Sequence, residues 1–307
     1  MIGSAVLHSV SYSGSWGQRP LSLDEFIDHA ADLGFEGVML GAKRPHLSPL
    51  DYGSKRLGQV RDRIEARGLI SVIAGYTNFT ADLEHGEIPM REIMVQHVME
   101  LVRLAKGLDG NLVRVFTGYE NPASGFTAQW NSLVAALREC ARLAAPLGVT
   151  IGVQNHHDIG VGYESMFDLI QEIGEPNCRA CFDAWAPALH GDDLRKAARK
   201  MAPLTVHTTI ADYQLRPRHK YPPALVNYSR ELAYTQAVPM GEGFIDYRAF
   251  LEGLVEGGFT GSVAYEMCSP LLGGGSLDTL DRYARQFLKY IEHFRSGTRV
   301  SPVPPVT

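Results

Sequence analysis

Short runs of β-branched and other apolar residues alternate along the chain with longer stretches in which apolar residues recur at helical spacing. Each run predicts a buried strand, and each longer stretch predicts the helix that follows it. The predicted strands cover residues 5–10, 36–40, 69–75, 111–118, 149–154, 179–183, 204–209 and 261–266. The predicted helices cover residues 22–33, 51–67, 89–106, 127–146, 163–173, 192–200, 246–256 and 276–294. Strict alternation of eight strands with eight helices predicts an α/β chain that closes into a single (β/α)8 TIM barrel.

The barrel accounts for one domain. No change in composition divides the chain, so we predict a barrel domain over residues 1–295 and an extended or disordered C-terminal tail over 296–307, which is rich in proline. Two predicted connections are long. One covers about 210–243 and contains RPRHKYPP, and the other follows the eighth strand and reads SPLLGGGSL. Long connections serve either as lids and binding loops or as surface insertions, and the sequence leaves both interpretations open.

The composition is that of a soluble globular protein. The 307 residues are 45% hydrophobic and 21% charged, and 29 Lys and Arg against 34 Asp and Glu give a net charge of −5. This charge provides no overall attraction for nucleic acid or for an anionic membrane. No apolar stretch reaches the roughly 18 residues of a membrane span, and the first residues do not resemble a secretory leader, so we expect a cytoplasmic protein. Cys178 and Cys181 lie in an apolar strand and are interpreted as buried cysteines.

Polar side chains capable of binding a metal stand near the ends of the last four barrel strands. Gln154, Asp183, His207 and Glu266 belong to predicted strands five, six, seven and eight. The C-terminal ends of barrel strands meet at one mouth, so these four side chains are expected to converge. One amide oxygen, two carboxylates and one imidazole form a mixed oxygen and nitrogen set that suits a divalent metal. Mn²⁺ is the preferred ion, with Mg²⁺, Co²⁺ and Zn²⁺ as alternatives.

Several segments carry a family resemblance. They are VTIGVQNHHD (149–158), ACFDAWAPALHG (180–191), VHTTIAD (206–212) and MGEGFIDYRAFLEGLVEGGFTGSVAYE (240–266). With them the chain resembles the xylose isomerase-like TIM barrels of the sugar phosphate isomerase/epimerase superfamily. The resemblance implies one divalent metal held on strands five to eight, with Asp183, His207 and Glu266 among its ligands. It also implies activity on keto or aldo sugars and related polyols.

Strand five departs from the family pattern. Similar proteins have glutamate where this chain has Gln154. An amide oxygen can still coordinate a metal, but glutamine cannot accept a proton as a base. The next candidate base on this strand is His156, two residues further on and expected on the same side of the barrel. Glu266 is the other candidate.

Further residues are candidates for binding substrate because they lie beyond strand ends or inside the barrel. Arg114 has an alternative role in a structural ion pair, and Trp185 has an alternative role in core packing. The substrate-binding candidates are His46, Arg114, Trp185, Asp212 and Glu242.

The resulting functional expectation is a divalent-metal-dependent isomerase or epimerase that acts on a keto sugar or related polyol through a metal-stabilised enediolate, with Glu266 or His156 as the base. The alternative is a metal-dependent lyase on a 3-oxo-sugar, either a dehydratase or a β-eliminating enzyme like the C-glycoside deglycosidases, with His156 as base. A small partner subunit would accompany that second activity, and a homo-oligomer is an open alternative.

Two further hypotheses stay in view. The endonuclease IV repair enzymes share this barrel, but they need several zinc ions and a basic groove, which neither the net charge nor the number of ligands supports. A metal-free sugar-binding barrel, with its metal site degraded at Gln154, is the last hypothesis. Fold alone does not decide among these functions.

Overall fold

A computed structural model describes residues 2–80 and 87–296 of the chain. Residues 297–307 of the predicted tail lie outside the described residues. Within the described residues, eight parallel strands form one sheet in the order β6-β5-β4-β3-β2-β1-β10-β7. The strands are β1 (Ala5–His8), β2 (Gly37–Gly41), β3 (Ile70–Ala74), β4 (Leu112–Gly118), β5 (Thr150–His157), β6 (Cys178–Cys181), β7 (His207–Ile210) and β10 (Ser262–Tyr265).

Pairing between the two edge strands closes the sheet into a barrel. A parallel bridge joins Ala180 on β6 to Thr205, just before β7, and the Val206 N–H donates to the Ala180 carbonyl oxygen at 2.9 Å. Each of the eight predicted strands is present. The predicted (β/α)8 barrel is therefore confirmed.

The helices lie close to their predicted positions. They are α1 (Leu23–Leu33), α2 (Ser54–Ala66), α3 (Met90–Gly107), α4 (Phe126–Ala144), α5 (Tyr163–Ile173), α6 (Trp185–His190), α7 (Leu194–Met201), α8 (Tyr247–Glu256) and α9 (Leu277–Ser296). Helix α1 begins at a capping box between Ser22 and Glu25 and ends at Gly34, whose φ of 96° is in the left-handed region. The short α6 was not predicted. No helix in the described part of the chain is long and apolar enough to cross a membrane.

The interior of the barrel has an apolar lower part and a polar upper part. A small cluster of alternate strand residues fills the lower part, separate from the larger core between strands and helices; it consists of Val6, Met39, Val72, Ala74, Leu112 and Ala264. Two residues further along their strands, on the same face, lie His8 and Arg114, both buried. Cys178 and Cys181 are buried, unpaired thiols, as predicted.

The long connection after β7 is mostly a β-hairpin, which the sequence analysis did not predict. Strands β8 (Asp212–Lys220) and β9 (Ser229–Val238) pair antiparallel, with a register shift between Arg216 and Arg218. The loop after β10 joins the base of this hairpin, because the Ala237 N–H donates to Pro270 O at 2.8 Å and the Leu272 N–H donates to Ala237 O at 2.9 Å. The two long connections are thus tied together.

Asp212 anchors the turn that follows the hairpin. One oxygen of its buried carboxylate accepts the N–H groups of Gly241 and Gly243, both at 2.9 Å, and the other accepts the N–H of Tyr213 at 3.0 Å. A Cβ atom on Gly243 would overlap this carboxylate. The second glycine of the Gly-Glu-Gly motif is therefore required by close packing against Asp212.

This packing generates a stability prediction. Gly243→Ala is expected to lower the free energy of unfolding by about 1–3 kcal/mol, because the added methyl group forces Asp212 away from its amide partners. The matched control is Gly58→Ala in α2, where nothing lies within 4 Å of the added carbon. That change should raise the free energy of unfolding by about 0.5–1 kcal/mol through helix propensity. Urea unfolding of both variants measures the two changes in the free energy of unfolding. The same change in both variants would contradict the packing argument.

Candidate active site

A cavity of about 170 Å³ lies at the C-terminal end of the barrel. Its polar lining includes Gln154 from β5, Asp183 after β6, Thr209 from β7 and Glu266 after β10. A larger depression at the opposite end begins near Leu69 and Thr150, at the N-terminal ends of the strands. Because TIM-barrel chemistry takes place at the C-terminal end, the first cavity is the candidate active site. Three of the four predicted strand-end residues meet there.

Asp183 is held from both its backbone and its side chain. Asn155 accepts the Asp183 N–H at 2.8 Å and donates its own amide to the Asp183 carbonyl oxygen at 3.1 Å. The carboxylate accepts the Gln154 side-chain amide at 2.5 Å and the Trp185 N–H at 3.1 Å. Burial raises the pKa of Asp183 to about 7, and the Gln154 hydrogen bond opposes this shift. Asp183 is thus a fixed carboxyl group that titrates near neutrality.

Gln154 presents its amide nitrogen to this network. The nitrogen donates to Asp183 Oδ2 and to Thr209 Oγ1, the latter at 3.1 Å. The amide oxygen is buried and has no hydrogen-bond partner among the described residues. Buried polar atoms are usually satisfied, so this oxygen is an acceptor without a partner in a residue that lines the cavity.

Glu266 is tied to the polar layer inside the barrel. Arg114 Nη2 donates to Glu266 Oε1 at 3.3 Å, and His8 Nε2 lies at 3.3 Å from the same oxygen. His8 Nδ1 accepts the Val10 N–H at 3.0 Å, so the neutral ring carries its proton on Nε2 and donates it to Glu266. Burial, and secondarily the charge of Arg114, lowers the pKa of His8 well below its usual value. The second oxygen of Glu266 is left for the cavity.

Arg114 has the structural role that was the alternative in the sequence analysis. It is fully buried, pairs with Glu266 and donates Nη1 to the carbonyl oxygen of Gly75 at 3.3 Å. Its guanidinium lies over the ring of Phe116, 4.1 Å from the centroid. Arg114 does not line the cavity, which corrects its assignment as a substrate-binding residue.

His207 lies below the cavity instead of at its mouth. It is the first residue of β7, and Thr209, two residues further along the same face, occupies the expected position. His207 is fully buried, with Nδ1 at 2.7 Å from Ser262 Oγ and with no partner for Nε2 among the described residues. Burial lowers its pKa to about 3, so the ring is neutral. The prediction of a ligand at the strand end is therefore corrected for His207.

The four predicted ligands do not together form a metal site. In the described portion of the chain, no three His, Cys, Asp or Glu side chains are placed so that they could hold one metal ion. Asp183 and Glu266 reach the cavity, His207 does not, and Gln154 directs its N–H toward Asp183 instead of offering its oxygen beside it. These donors do not fit Mn²⁺ or another divalent metal, so the set Gln154, Asp183, His207 and Glu266 is corrected as a ligand set.

His156 lines the cavity but does not have the geometry of a base. Its Nδ1 accepts the N–H of His157 at 2.8 Å, so the neutral ring carries its proton on Nε2. Burial, followed by the neighbouring His157, lowers the pKa of His156 below its usual value. A neutral ring with an Nε2–H group donates a hydrogen bond, so His156 is reassigned from base to donor.

Three other predicted substrate-binding residues lie elsewhere. His46 is buried, with Nε2 at 3.1 Å from the Leu21 carbonyl oxygen and its ring near Phe26. Asp212 anchors the turn described above, and Glu242 is exposed on that turn. None of the three lines the cavity, and their roles in binding substrate stay predictions.

Aromatic residues form the apolar side of the cavity. Trp185, predicted to bind substrate, lines it and packs edge-on against Tyr213 at 4.7 Å and against Phe244 at 5.9 Å. Sequence reasoning missed Tyr213 and Thr235, which the unpredicted hairpin brings to the cavity. It also missed Thr209, although the two-residue period of a strand places it on the same face as His207.

Several solved structures are similar to this fold. A D-allulose 3-epimerase from Methylomonas sp. superposes with a TM-score of 0.72 at 15% identity, over 95% of this chain and 98% of that chain. A D-psicose 3-epimerase from Clostridium cellulolyticum H10 gives 0.69 at 16% identity, over 94% and 98%. An L-ribulose 3-epimerase gives 0.72 at 17% identity, over 99% and 100%. At such low identity the likeness establishes the fold alone.

Comparison with curated proteins gives a much shorter match. A histidine–tRNA ligase from Ruegeria sp. (strain TM1040) is 34% identical over 96 residues, which are 31% of this chain and 19% of that protein. The chain thus spans about a fifth of that relative. The family model for the xylose isomerase-like TIM barrel, in contrast, matches residues 27–291. The chain therefore belongs to the xylose isomerase-like TIM barrel family.

Proposed function

We propose that the protein is an isomerase or epimerase that acts on a keto sugar or a related polyol. The reaction removes a proton from the carbon next to a carbonyl group and returns a proton to the neighbouring carbon or to the opposite face. The observation that carries this proposal is the presence of two carboxyl groups, Asp183 and Glu266, on one small cavity at the barrel mouth. Two carboxyl groups in different environments suit the roles of acid and base.

The environments of the two groups suggest how the roles divide. Glu266 Oε1 is engaged by Arg114 and His8, which leaves the other oxygen to accept the substrate proton. Asp183 has a pKa near neutrality, so its protonated form donates to the substrate oxygen on which negative charge develops. The Nε2–H of His156 is a second donor. In isomerisation, Glu266 returns the proton it has taken to the neighbouring carbon, and Asp183 takes back a proton from the hydroxyl that becomes the new carbonyl. In epimerisation, Asp183 donates its proton to the opposite face of the same carbon, and Glu266 then passes its proton to Asp183 through solvent. Both reactions end with the enzyme as it began.

The rest of the cavity suits a small polyhydroxylated substrate. Trp185 offers an aromatic ring to the C–H face of a sugar. The unpartnered oxygen of Gln154 can accept a hydrogen bond from a substrate hydroxyl, and Thr209 supplies a hydroxyl group beside it. The similar folds named as D-allulose, D-psicose and L-ribulose 3-epimerases add support for a ketose and provide the first substrates to assay.

Two parts of the sequence-based expectation are not carried into this proposal. Metal dependence is left out because His207 does not reach the cavity and Gln154 directs its N–H toward Asp183. The lyase alternative with His156 as base is left out because His156 Nδ1 is already occupied by the His157 N–H.

Loss of the proposed base tests the mechanism. Glu266→Gln is expected to reduce turnover of the responsive ketose by about 10²–10⁴-fold, and to reduce incorporation of solvent deuterium at the reacting carbon in parallel. NMR of a panel containing D-allulose (also called D-psicose), D-tagatose, D-fructose and L-ribulose measures both quantities.

The matched control is Glu92→Gln, which makes the same change at an exposed position in α3 and should leave turnover unchanged. Thermal unfolding of Glu266→Gln distinguishes lost chemistry from lost folding, because Arg114 loses its ion-pair partner in this variant. Wild-type protein that neither converts nor deuterates any ketose of the panel would contradict the proposed function.

The raised pKa of Asp183 predicts a dependence of stability on pH. Unfolded aspartate titrates at about 3.9, whereas burial raises the pKa of folded Asp183 to about 7. The protonated group therefore stabilises the fold, fully below about pH 4, and this contribution is lost as the pH rises to the folded pKa. Relative to Asp183→Asn, which does not titrate, the wild type should lose up to about 1.4 kcal/mol per pH unit.

Urea unfolding at about pH 5 and about pH 8 measures this difference. Asp278→Asn, at an exposed position in the first turn of α9, controls for the loss of one negative charge. If the free energies of unfolding of wild type and Asp183→Asn differ by the same amount at both pH values, Asp183 has the same pKa in the folded and the unfolded chain, which would contradict the prediction.

A further inference from the structure

Both carboxyl groups of the candidate active site already have partners supplied by the chain. Arg114 and His8 contact Glu266 Oε1, each at 3.3 Å. Asp183 accepts the Gln154 amide at 2.5 Å and a backbone N–H at 3.1 Å. Buried carboxylates must be paired, hydrogen-bonded or coordinated to be tolerated. Here, pairing and hydrogen bonding satisfy that need.

The guanidinium of Arg114 supplies Glu266 with the positive charge that a bound cation would otherwise supply. It is completely buried and permanently charged, and it contacts the one carboxylate oxygen that would otherwise face the inside of the barrel. A divalent ion bound to Glu266 would stand close to this positive charge in a region of low dielectric constant. Like charges repel strongly under those conditions, so Arg114 disfavours metal binding.

The other two positions are also unsuited to a metal ion. Gln154 would have to turn its amide, break its hydrogen bonds to Asp183 and Thr209, and offer an uncharged oxygen. At the mouth of β7 the cavity is lined by the hydroxyl of Thr209, since the imidazole of His207 lies deeper and is bonded to Ser262. Neutral oxygens bind Mn²⁺ less tightly than carboxylate and imidazole together.

We infer that this site binds and turns over its ketose without a divalent metal, with Arg114 and the Gln154 amide supplying the positive charge and the hydrogen bonds that hold the two carboxyl groups. The substrate part of this inference rests on the proposed function, whereas the part that concerns metal binding does not. The unpartnered Gln154 oxygen then receives a substrate hydroxyl. Gln154 and Thr209 are the two positions that separate this arrangement from a metal site.

The test compares Mn²⁺ binding by the full-length wild type and by the Gln154→Glu/Thr209→His double variant, each dialysed against EDTA. Isothermal titration with MnCl₂ and thermal unfolding at about 1 mM MnCl₂ are the readouts. The wild type should give no saturable binding and no shift of its midpoint. The double variant should bind Mn²⁺ at least about 100-fold more tightly than the wild type and unfold at a higher temperature in its presence.

Controls make the comparison specific. Gln171→Glu in α5 makes the same charge change at an exposed position and should bind no Mn²⁺. The single variant Gln154→Glu, which retains Thr209, provides a second test if the double variant fails to fold. It should bind Mn²⁺ more weakly than the double variant does. Stoichiometric Mn²⁺ binding by the wild type would overturn the inference. Failure of both variants to bind would overturn the assignment of Gln154 and Thr209 as the positions that separate this site from a metal site, and it would leave Arg114 as the group that blocks the metal.

Activity separates this inference from the proposed function. Conversion of a ketose by EDTA-treated wild type, unchanged by added MnCl₂, agrees with both. No Mn²⁺ binding together with no conversion of any ketose contradicts the proposed function and leaves the electrostatic account intact. Conversion that requires Mn²⁺ supports the isomerase or epimerase and overturns the metal-free site.

Discussion

The buried ion pair between Arg114 and Glu266 is the interaction on which the candidate active site depends. Arg114 lies inside the barrel with no exposure to solvent, and Glu266 follows β10 at the floor of the cavity. An unpaired charge at such a depth costs several kcal/mol, so each residue needs the other. The pair therefore fixes the direction of the Glu266 carboxylate and connects the apolar lower part of the barrel to the polar cavity above it.

A second network holds the opposite side of the cavity. Asn155 clamps the backbone of Asp183, and Gln154 donates to its carboxylate, so two consecutive residues of β5 position one residue after β6. The two networks approach the cavity from different strands and leave oxygens of Glu266 and Gln154 free. A site held in this way is organised before substrate arrives, which favours stabilisation of the transition state over rearrangement.

Periodicity predicted the barrel because its strands are buried on both faces and its helices have one apolar face. The hairpin escaped prediction because β8 has few apolar residues: beyond Leu215 its sequence is RPRHK, which presents no apolar face. His207 was expected near the end of a seventh strand that covered residues 204–209. In the structure β7 runs from His207 to Ile210, so His207 lies at its start and Thr209 lies near its end.

The rest of the site depends on orientation, which a sequence does not contain. Strand order brought Gln154, Asp183 and Glu266 to one mouth, but it did not indicate that Gln154 would turn its N–H toward Asp183. His156 lies two residues beyond the predicted fifth strand and lines the cavity because β5 continues to His157, yet a backbone N–H occupies the nitrogen that a base would use. Asp212 and Glu242 come from two segments that carry the family resemblance; in this structure Asp212 holds the turn and Glu242 is exposed on it.

X-ray diffraction at the manganese absorption edge, from crystals grown with MnCl₂ and a converted ketose, distinguishes a metal-free active site from a metal-binding one. We expect density for the sugar between Asp183 and Glu266, with Glu266 still paired to Arg114 and no anomalous peak in the cavity. An anomalous peak coordinated by Asp183 and Glu266, with the Gln154 amide turned to offer its oxygen, would contradict this expectation.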